Sequence, residues 1–379
     1  MNNGLVERLP APGQNQKGWP WLEESSPALY SFRNDWPKIS IVVPSYNQGI
    51  FLEETLRSIL LQNYPSLELI VIDGGSKDES IEILKKYEPW ITYWVSEKDK
   101  GQSDAINKGF RIANGDIVTW LCSDDLFTKG ALHRVAEIFY DQPANIGLIY
   151  GNALLFGKGM ETREGYLYEK ADIERFIAGQ AFAQPSAFFK HQYLKKVGAW
   201  VREDLHLGMD YDLFARLACV CRFHEVKEFF SLYRLHDASK TVSQHARLIE
   251  DWTRTFGNLC RNLGWNDVLE KMRSVPQLSA FLDYQYPLSF QPDPAILSAA
   301  DRQLALFYHL CYWLKSCYHY NRHKDAKEIL AILKREYPYD WLKKEKFISE
   351  IMTRSKIPEQ VLKLLSNIRK GYKDLLVRK

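Results

Sequence analysis

The chain has 379 residues, of which 46% are hydrophobic and 26% are charged, the balance of a globular protein with room for two or three domains. The formal net charge is only +3, so composition excludes a disordered chain and gives no reason to expect nucleic-acid binding. The charge is uneven, because residues 321–379 hold 16 Lys and Arg against 8 Asp and Glu, a net charge of +8.

Residues 1–37 contain five prolines and no regular hydrophobic pattern, which predicts an irregular lead-in rather than a domain. The chain has no secretory signal pattern and no run of 18 apolar residues that would predict a membrane span. Its six cysteines lack the spacing of a zinc site and are typical of reduced thiols. We therefore expect a cytoplasmic protein.

Residues 38–240 alternate short apolar runs with amphipathic patterns. Strands are predicted at 39–43, 67–72, 91–95 and 117–121, and helices at 51–62, 79–87 and 103–113. Such alternation is typical of βαβ units and predicts an α/β fold with a mostly parallel central sheet. Further strands at 146–150, 187–189 and 229–234 and a helix at 210–219 continue the same domain.

The C-terminal region, residues 241–379, is predicted to be all helical, with the clearest helices at 247–262, 301–320 and 324–337. Its basic excess has two interpretations. The helices could make peripheral contact with the inner face of a membrane, or they could form a solvated cap. Because the charge is spread over 59 residues rather than clustered, the sequence slightly favours the cap.

Each of the first four predicted strands ends in a polar segment, at 44–49, 73–78, 97–104 and 122–125. Ligands bind at the carboxyl ends of the strands in such sheets, so four polar segments at one edge predict one site. The segments supply four carboxylates, Asp73, Asp99, Asp124 and Asp125, which suit a nucleoside and a hard divalent cation. No Gly-rich dinucleotide or phosphate loop follows the first strand, which argues against dehydrogenases and P-loop NTPases.

Three segments in this order, VVPSYNQGIFLEETLRSILLQNYPSLELIVIDGGSKDES, EKDKGQSDAINKGF and GDIVTWLCSDD, resemble the family 2 glycosyltransferases. The resemblance covers residues 38–240 and implies the GT-A fold, a Rossmann-like αβα sandwich. It also implies transfer of a sugar, with inversion, from a nucleotide-diphosphate donor to a hydroxyl of a glycan or lipid-linked acceptor. A UDP-sugar is the favoured donor. The family uses Mn²⁺ or Mg²⁺ to assist departure of the diphosphate.

By position in the motifs, the resemblance assigns the donor nucleotide to Pro44, Tyr46, Asn47, Asp73, Asp99, Lys108 and Asp124. Asp125 takes the last place of the family's DxD motif and is the expected metal ligand, although Ser123 replaces the first Asp. His236 is expected at the metal or the pyrophosphate, and the alternative for it is a surface histidine. Gln184 is expected near the donor sugar and the acceptor.

An inverting transfer needs a base that takes the proton of the acceptor hydroxyl. Residues 206–216 resemble the family segment that supplies this base, with Asp210 in its place and Met209 instead of the common Glu. The alternative for Asp210 is a helix N-cap, a position that Asp favours. Asp212 is the second candidate for contact with the acceptor or the donor sugar.

Two other functions stay open. A catalytically silent homologue that binds a sugar nucleotide as a partner module would explain Ser123 and Met209. A sugar nucleotidyltransferase is less favoured, because residues 44–49 contain no basic side chain to hold a triphosphate. Among the tryptophans, Trp94 and Trp120 lie in predicted strands and suit the core, whereas Trp90 and Trp200 are better placed to stack on sugar rings.

Overall fold

The computed structural model describes residues 4–165, 172–236 and 245–354. The chain divides into two compact units, Met1–Ala305 and Leu306–Lys379. The first unit contains a nine-stranded sheet with helices, and the described part of the second consists of helices. The two compact units meet between Ala305 and Leu306, which is neither of the predicted domain limits. The end of the lead-in at residue 37 and the end of the transferase domain at residue 240 therefore stay predictions.

The strands are β1 (Ile39–Ser45), β2 (Leu67–Asp73), β3 (Tyr93–Ser96), β4 (Ile117–Trp120), β5 (Leu126–Phe127), β6 (Ile146–Gly157), β7 (Met160–Glu164), β8 (Ala187–Lys190) and β9 (Arg222–Arg234). Their order is β3-β2-β1-β4-β8-β6-β9-β5, with β7 paired to β6. The first four strands are mutually parallel, β6 is parallel to β9, and β8 runs antiparallel to both β4 and β6. The predicted α/β class with a parallel core is confirmed.

Among the described residues, the helices of the first unit are α1 (Gly49–Leu60), α2 (Ser80–Tyr87), α3 (Gln102–Ile112), α4 (Ala131–Asp141), α5 (Ile173–Ala178), α6 (His191–Lys196), α7 (Met209–Ala218), α8 (His245–Asn262), α9 (Asn266–Arg273), α10 (Pro276–Ser279) and α11 (Pro294–Leu297). The predicted helices are confirmed within about two residues at each end. Strands β6 and β9 extend well beyond the predicted runs. Most of their extra residues are partly or fully exposed, and those of β9 contain no continuous apolar run.

The sheet is covered on both faces. All seven residues of β1 are buried, as expected for a central parallel strand between two layers of helices. On one face, Ile41 and Val43 belong to the same core cluster as Leu56 of α1. On the other, Gly109 of α3 packs so closely that an added Cβ would lie 2.3 Å from Val42. The layers therefore form an αβα sandwich.

The described part of the lead-in, residues 4–37, is irregular apart from a 3₁₀ turn at Pro27–Tyr30, but it is tied to the sandwich. The fully buried Arg57 of α1 donates hydrogen bonds to the carbonyl oxygens of Pro10, Pro20 and Trp21 at 2.9, 3.0 and 2.6 Å. A buried guanidinium needs such acceptors to offset its desolvation. The lead-in therefore completes the outer surface of α1.

The second unit contains most of α12 (Arg302–His319) together with α13 (His323–Glu336), α14 (Tyr339–Lys344) and α15 (Lys346–Arg354). Phe307 of α12 packs against Tyr337 at 5.3 Å and Trp341 at 5.5 Å between ring centroids, which gives the unit its own apolar contacts. Residues 355–379 of the basic segment lie outside the described residues. Across the described residues, no helix combines the length and apolarity needed to cross a membrane.

Candidate functional site

The ends of β1, β2 and β3 lie in register at the carboxyl edge of the sheet, where Ser45 pairs with Asp73 and Asp73 with Ser96. Asp73 is fully buried. Its Oδ2 accepts hydrogen bonds from the backbone nitrogens of Gly75 and Ser76 at 3.0 and 2.9 Å and from Ser96 Oγ at 2.6 Å. Its Oδ1 accepts one from Ser76 Oγ at 2.5 Å. Asp73 therefore fixes the shape of the loop after β2.

The loop after β1 is tied to the loop after β2 by Asn47, which has a φ of 51°, a left-handed conformation that Asn tolerates. Asn47 Oδ1 accepts a hydrogen bond from the Lys77 nitrogen at 2.9 Å, and its own nitrogen donates to Ser76 Oγ at 2.7 Å. The neighbouring Tyr46 is 59% exposed, and the hydroxyl of Ser45 is buried without a hydrogen-bond partner among the described residues. The edge thus offers an exposed ring beside an unsatisfied hydroxyl.

Asp99 follows β3 and lies over the loop after β2. Its Oδ1 accepts a hydrogen bond from the Gly101 nitrogen at 2.8 Å, and its Oδ2 lies 2.7 Å from where a Cβ on Gly74 would be. Glycine at 74 therefore allows this approach. Lys108 of α3 donates to Glu97 Oε1 at 2.8 Å, and this hydrogen bond raises the pKa of Lys108, so the ammonium stays charged beside the loop.

The loop after β4 contains the candidate metal site. One ligand atom each from Cys122, Asp124 and Asp125 lies within 4.8 Å of the others. Asp125 is only 3% exposed, and burial together with the adjacent charge of Asp124 raises its pKa well above the usual range. A divalent cation fits this position, because it supplies the opposite charge that the two carboxylates lack and prefers their oxygen ligands. Ser123, in the first place of the predicted motif, is buried.

Neighbouring elements hold this loop by its backbone. Thr55 of α1 donates to the carbonyl oxygen of Asp125 at 2.9 Å. Arg234, at the end of β9, donates from Nε to the carbonyl oxygen of Asp124 at 2.6 Å and from its own nitrogen to Asp125 Oδ1 at 2.8 Å. The guanidinium also pairs with Glu54 at 2.7 Å. Two elements distant in sequence therefore set the geometry of the two carboxylates.

His236 lies at the same loop. Its Nε2 atom is 2.9 Å from Asp124 Oδ2, and its ring packs against Phe51 with 4.9 Å between centroids. Its side chain is only 17% exposed, which differs from an ordinary surface histidine. The structure therefore brings Asp125 and His236, which were predicted for the metal or the pyrophosphate, together with Asp124, which was predicted to contact the donor nucleotide.

Asp210 is the second residue of α7, and the N-cap position is taken by Gly208. It is therefore not the N-cap that local propensity would suggest. Burial of the carboxyl group raises the pKa of Asp210 to about 6, against the lowering effect of hydrogen bonds from the Tyr211 nitrogen and the Gln180 side chain. A carboxylate with this pKa can accept a proton near neutral pH.

The start of α7 lies beside the start of α3. Ser103 Oγ is 2.6 Å from the sulfur of Met209, the residue before Asp210. Further along α7, Phe214 stacks on Trp120 of β4 at 5.9 Å, which places the helix over the sheet. Since α3 begins where the loop after β3 ends, Asp210 lies towards the carboxyl edge that carries the other candidates.

Three other predicted site residues, Gln184, Pro44 and Asp212, are buried in the fold. Gln184 donates to the carbonyl oxygen of Trp120 at 2.8 Å, directly before the metal loop. Pro44 lies in the buried strand β1. Asp212 is buried and forms a two-point ion pair with Arg216 in the same helix, with Nε and Nη2 both 2.8 Å from Oδ2. Its carboxylate is thus engaged within α7.

Sequence reasoning did not single out Thr55 or Glu54, and it considered Cys122 and Arg234 only as parts of the polar segment 122–125 and of the predicted strand 229–234. Thr55 follows Leu52 by three residues on the buried face of α1, so helical spacing could have marked it as a buried polar residue with a specific partner. Glu54 and Arg234 are 180 residues apart, and no local pattern relates them.

Comparison with known proteins agrees with this geometry. Residues 40–198 match the family described as Glycosyl transferase family 2. The chain is 30% identical over 239 residues to a glycosyltransferase of Rickettsia typhi, covering 60% of this chain and 73% of that protein. It is 34% identical over 187 residues to a GalNAc(5)-diNAcBac-PP-undecaprenol beta-1,3-glucosyltransferase of Campylobacter jejuni, covering 44% of this chain and 59% of that protein.

Solved structures share the fold at low sequence identity. The mannosyltransferase PcManGT of Pyrobaculum calidifontis, in complex with GDP-Man and Mn²⁺, has a TM-score of 0.51 and 16% identity, covering 88% of this chain and 86% of its own. S. aureus TarS 1-349, in complex with UDP-GlcNAc, has a TM-score of 0.50 and 15% identity, covering 80% of this chain and 93% of its own.

Proposed function

Because the chain belongs to glycosyltransferase family 2, we propose that it transfers a sugar from a UDP-sugar to a hydroxyl of a glycan or lipid-linked acceptor, with inversion at the anomeric carbon. The observation that carries this proposal is the meeting of Asp124, Asp125 and His236 at the strand edge that also carries Asp73 and Asp99.

The nucleoside lies over the loops after β1, β2 and β3. Tyr46 covers it with its exposed ring. Asp99 faces the same space, while Asp73 holds the loop beneath it. TarS, which is complexed with UDP-GlcNAc, supports a uridine nucleotide as the first donor to test.

The diphosphate lies at the loop after β4. Asp125 is the principal protein ligand for Mn²⁺ or Mg²⁺, with Asp124, Cys122 and His236 beside it. When bound, the cation supplies positive charge that stabilises the diphosphate as it leaves. Arg234 and Thr55 keep the loop in the arrangement that binding requires.

Transfer is a single displacement. The acceptor oxygen attacks the anomeric carbon from the face opposite the diphosphate, and its proton passes to the carboxylate of Asp210. The bond between the anomeric carbon and the diphosphate oxygen breaks, and its electron pair leaves with UDP. The raised pKa of Asp210 suits it to hold this proton near neutral pH. The lipid-linked substrate in the name of the Campylobacter relative supports an acceptor of this class.

The test has two stages. A thermal-shift screen with UDP, GDP and dTDP, each with and without Mn²⁺, should show the largest stabilisation with UDP and Mn²⁺, because a ligand that binds the folded state raises its melting temperature. Release of UDP is then measured over a panel of UDP-sugars with the full chain, alongside Asp125→Ala and Asp210→Asn.

We expect the first variant to lose UDP release and the second to keep donor binding but lose transfer. Preference for GDP or dTDP would overturn the assignment of uracil as the nucleobase of the donor. Tight binding of UDP-sugars with no turnover would instead identify a sugar-nucleotide-binding module.

A further inference from the structure

A cavity of about 600 Å³ lies outside the strand-edge site, between α3, the segment 198–204 and Tyr286. None of the four carboxylates of the strand-edge site lines it. Its volume is in the range of small-molecule pockets, which combine aromatic walls with a few fixed polar groups. The proposed donor chemistry gives this cavity no role.

The walls of the cavity are held rigidly. Asn107 of α3 exchanges two hydrogen bonds with the backbone of Val201, at 2.9 and 2.7 Å. Arg202 forms a two-point ion pair with Asp204 at 2.8 and 2.7 Å, and its guanidinium stacks 3.5 Å from the ring centroid of Tyr286. Because these side chains are already ordered, they lose little conformational entropy when a ligand binds.

The charges around the cavity cancel. Arg111 and Arg202 contribute two positive charges, and Glu203 and Asp204 contribute two negative ones. A strongly charged ligand would meet repulsion from one pair. A neutral ligand with many hydroxyl groups can donate to the carboxylates and accept from the arginines.

The aromatic side chains point to the same chemistry. Trp200 and Tyr286 both line the cavity, both are partly exposed, and their rings meet edge to face at 5.5 Å. Aromatic rings offer an apolar surface beside polar groups, which suits the C–H face of a sugar ring. The Nη1 atom of Arg202 is buried without a hydrogen-bond partner among the described residues, so this wall contains one unsatisfied donor.

We propose that this cavity is a second carbohydrate site, which binds a neutral sugar residue of the acceptor away from the hydroxyl that receives the transferred sugar. Its identification with the acceptor rests on the proposed function. It implies that the acceptor is a glycan of at least two sugar residues rather than a single lipid-linked sugar.

The connection to the catalytic edge runs along α3. Ser103 contacts Met209, the residue before Asp210, and Asn107 holds the cavity segment one helical turn later. The segment 198–204 then leads into α7, which carries Asp210 near its start. A glycan lying along α3 can therefore occupy the cavity while its end approaches the base.

The test measures binding of maltotriose, cellotriose and chitotriose to the full chain without nucleotide, by isothermal titration calorimetry and saturation-transfer NMR. We expect at least one of them to bind, and saturating UDP with Mn²⁺ not to displace it. Tyr286→Ala and Arg111→Ala should each weaken this binding about tenfold. Tyr339→Ala, which removes a 65% exposed tyrosine elsewhere, is the matched control and should bind normally.

Binding by none of the three sugars, displacement by UDP, or unchanged binding in both cavity variants would overturn the proposal. Melting temperatures verify that the variants are folded. Asp125→Ala separates the two hypotheses, because it should lose UDP release yet retain trisaccharide binding. If UDP release is absent in the wild type while trisaccharides bind, the proposed transferase function fails and the carbohydrate site stands.

Discussion

The Nε2 atom of His236 lies 2.9 Å from the Oδ2 atom of Asp124, which joins the chain just after β9 to the loop after β4. Two residues earlier, the nitrogen of Arg234 donates to Asp125 at 2.8 Å. Both carboxylates are therefore held from the same strand end. Their adjacent negative charges disfavour each other without a cation, so these contacts fix a geometry that favours cation binding.

Replacement of His236 by alanine should weaken Mn²⁺ binding by ~10–100-fold, the usual effect of removing a group that binds or orients a metal ligand. Electron paramagnetic resonance titration of Mn²⁺ at saturating UDP measures the change. His224→Ala, in β9 itself, is the control and should leave the Mn²⁺ affinity unchanged. Equal affinities in the His236 variant and the wild type would show that the imidazole plays no part in metal binding.

Replacement of Asp125 by asparagine should separate stability from activity. Burial and the charge of Asp124 raise the pKa of Asp125, so ionisation of this carboxyl group destabilises the metal-free fold. Asparagine keeps the acceptor for the Arg234 nitrogen but removes the charge. We expect a higher melting temperature than wild type at pH 8 without metal, and at least ~10²-fold slower UDP release with Mn²⁺. A lower melting temperature with full activity would contradict both expectations.

The strand edge could be predicted because each apolar run is followed directly by polar residues, and parallel strands end on one side of the sheet. The register of Ser45, Asp73 and Ser96 shows this convergence. The family motifs then assigned chemistry to single positions. The position of the site could be predicted from local sequence alone, because each strand is followed directly in the chain by the loop that carries its site residues.

The supporting contacts could not be predicted, because they join residues far apart in the chain. Arg234 pairs with Glu54 across 180 residues, and Arg57 binds three carbonyl oxygens of the lead-in. The sequence pattern around each arginine does not identify the residues that it contacts. The contact of Asp212, in contrast, could be predicted locally. Its position in the motif suggested a contact with a ligand, but its spacing of four residues from Arg216 predicts an ion pair within the helix.

Replacement of Asp212 by alanine should destabilise the fold by ~3–5 kcal/mol, because it leaves the buried guanidinium of Arg216 without its carboxylate partner. Arg216 also donates to the carbonyl oxygens of Val197 and Trp200, so the effect should extend to the segment before α7. Urea denaturation measures the loss. Asp212→Asn should lose less, and at temperatures where it stays folded its turnover per molecule should match wild type. Loss of turnover in folded Asp212→Asn would place this carboxylate in contact with substrate.

Replacement of Asp210 by asparagine should stop transfer and stabilise the protein in a defined range of pH. The folded-state pKa of Asp210 is about 6, against an ordinary value of 3.8, so the folded protein binds more protons between these two values than the unfolded chain does. Stability from this group is therefore present below pH 4 and is lost as pH rises through 6. At pH 8 the variant should be more stable than wild type by up to ~3 kcal/mol, and at pH 3.5 the two should be equal. Asp283→Asn, at an exposed aspartate, is the control and should be as stable as the wild type at both pH 8 and pH 3.5.

The same pKa sets the pH dependence of transfer. The acceptor proton needs the ionised carboxylate of Asp210, so kcat/KM for the acceptor should fall tenfold per pH unit below about 6 and level off above it. Binding of UDP with Mn²⁺ does not use this carboxylate, and Asp210→Asn should bind UDP as tightly as the wild type. If the acid limb of the profile persists in residual transfer by Asp210→Asn, another group is the base.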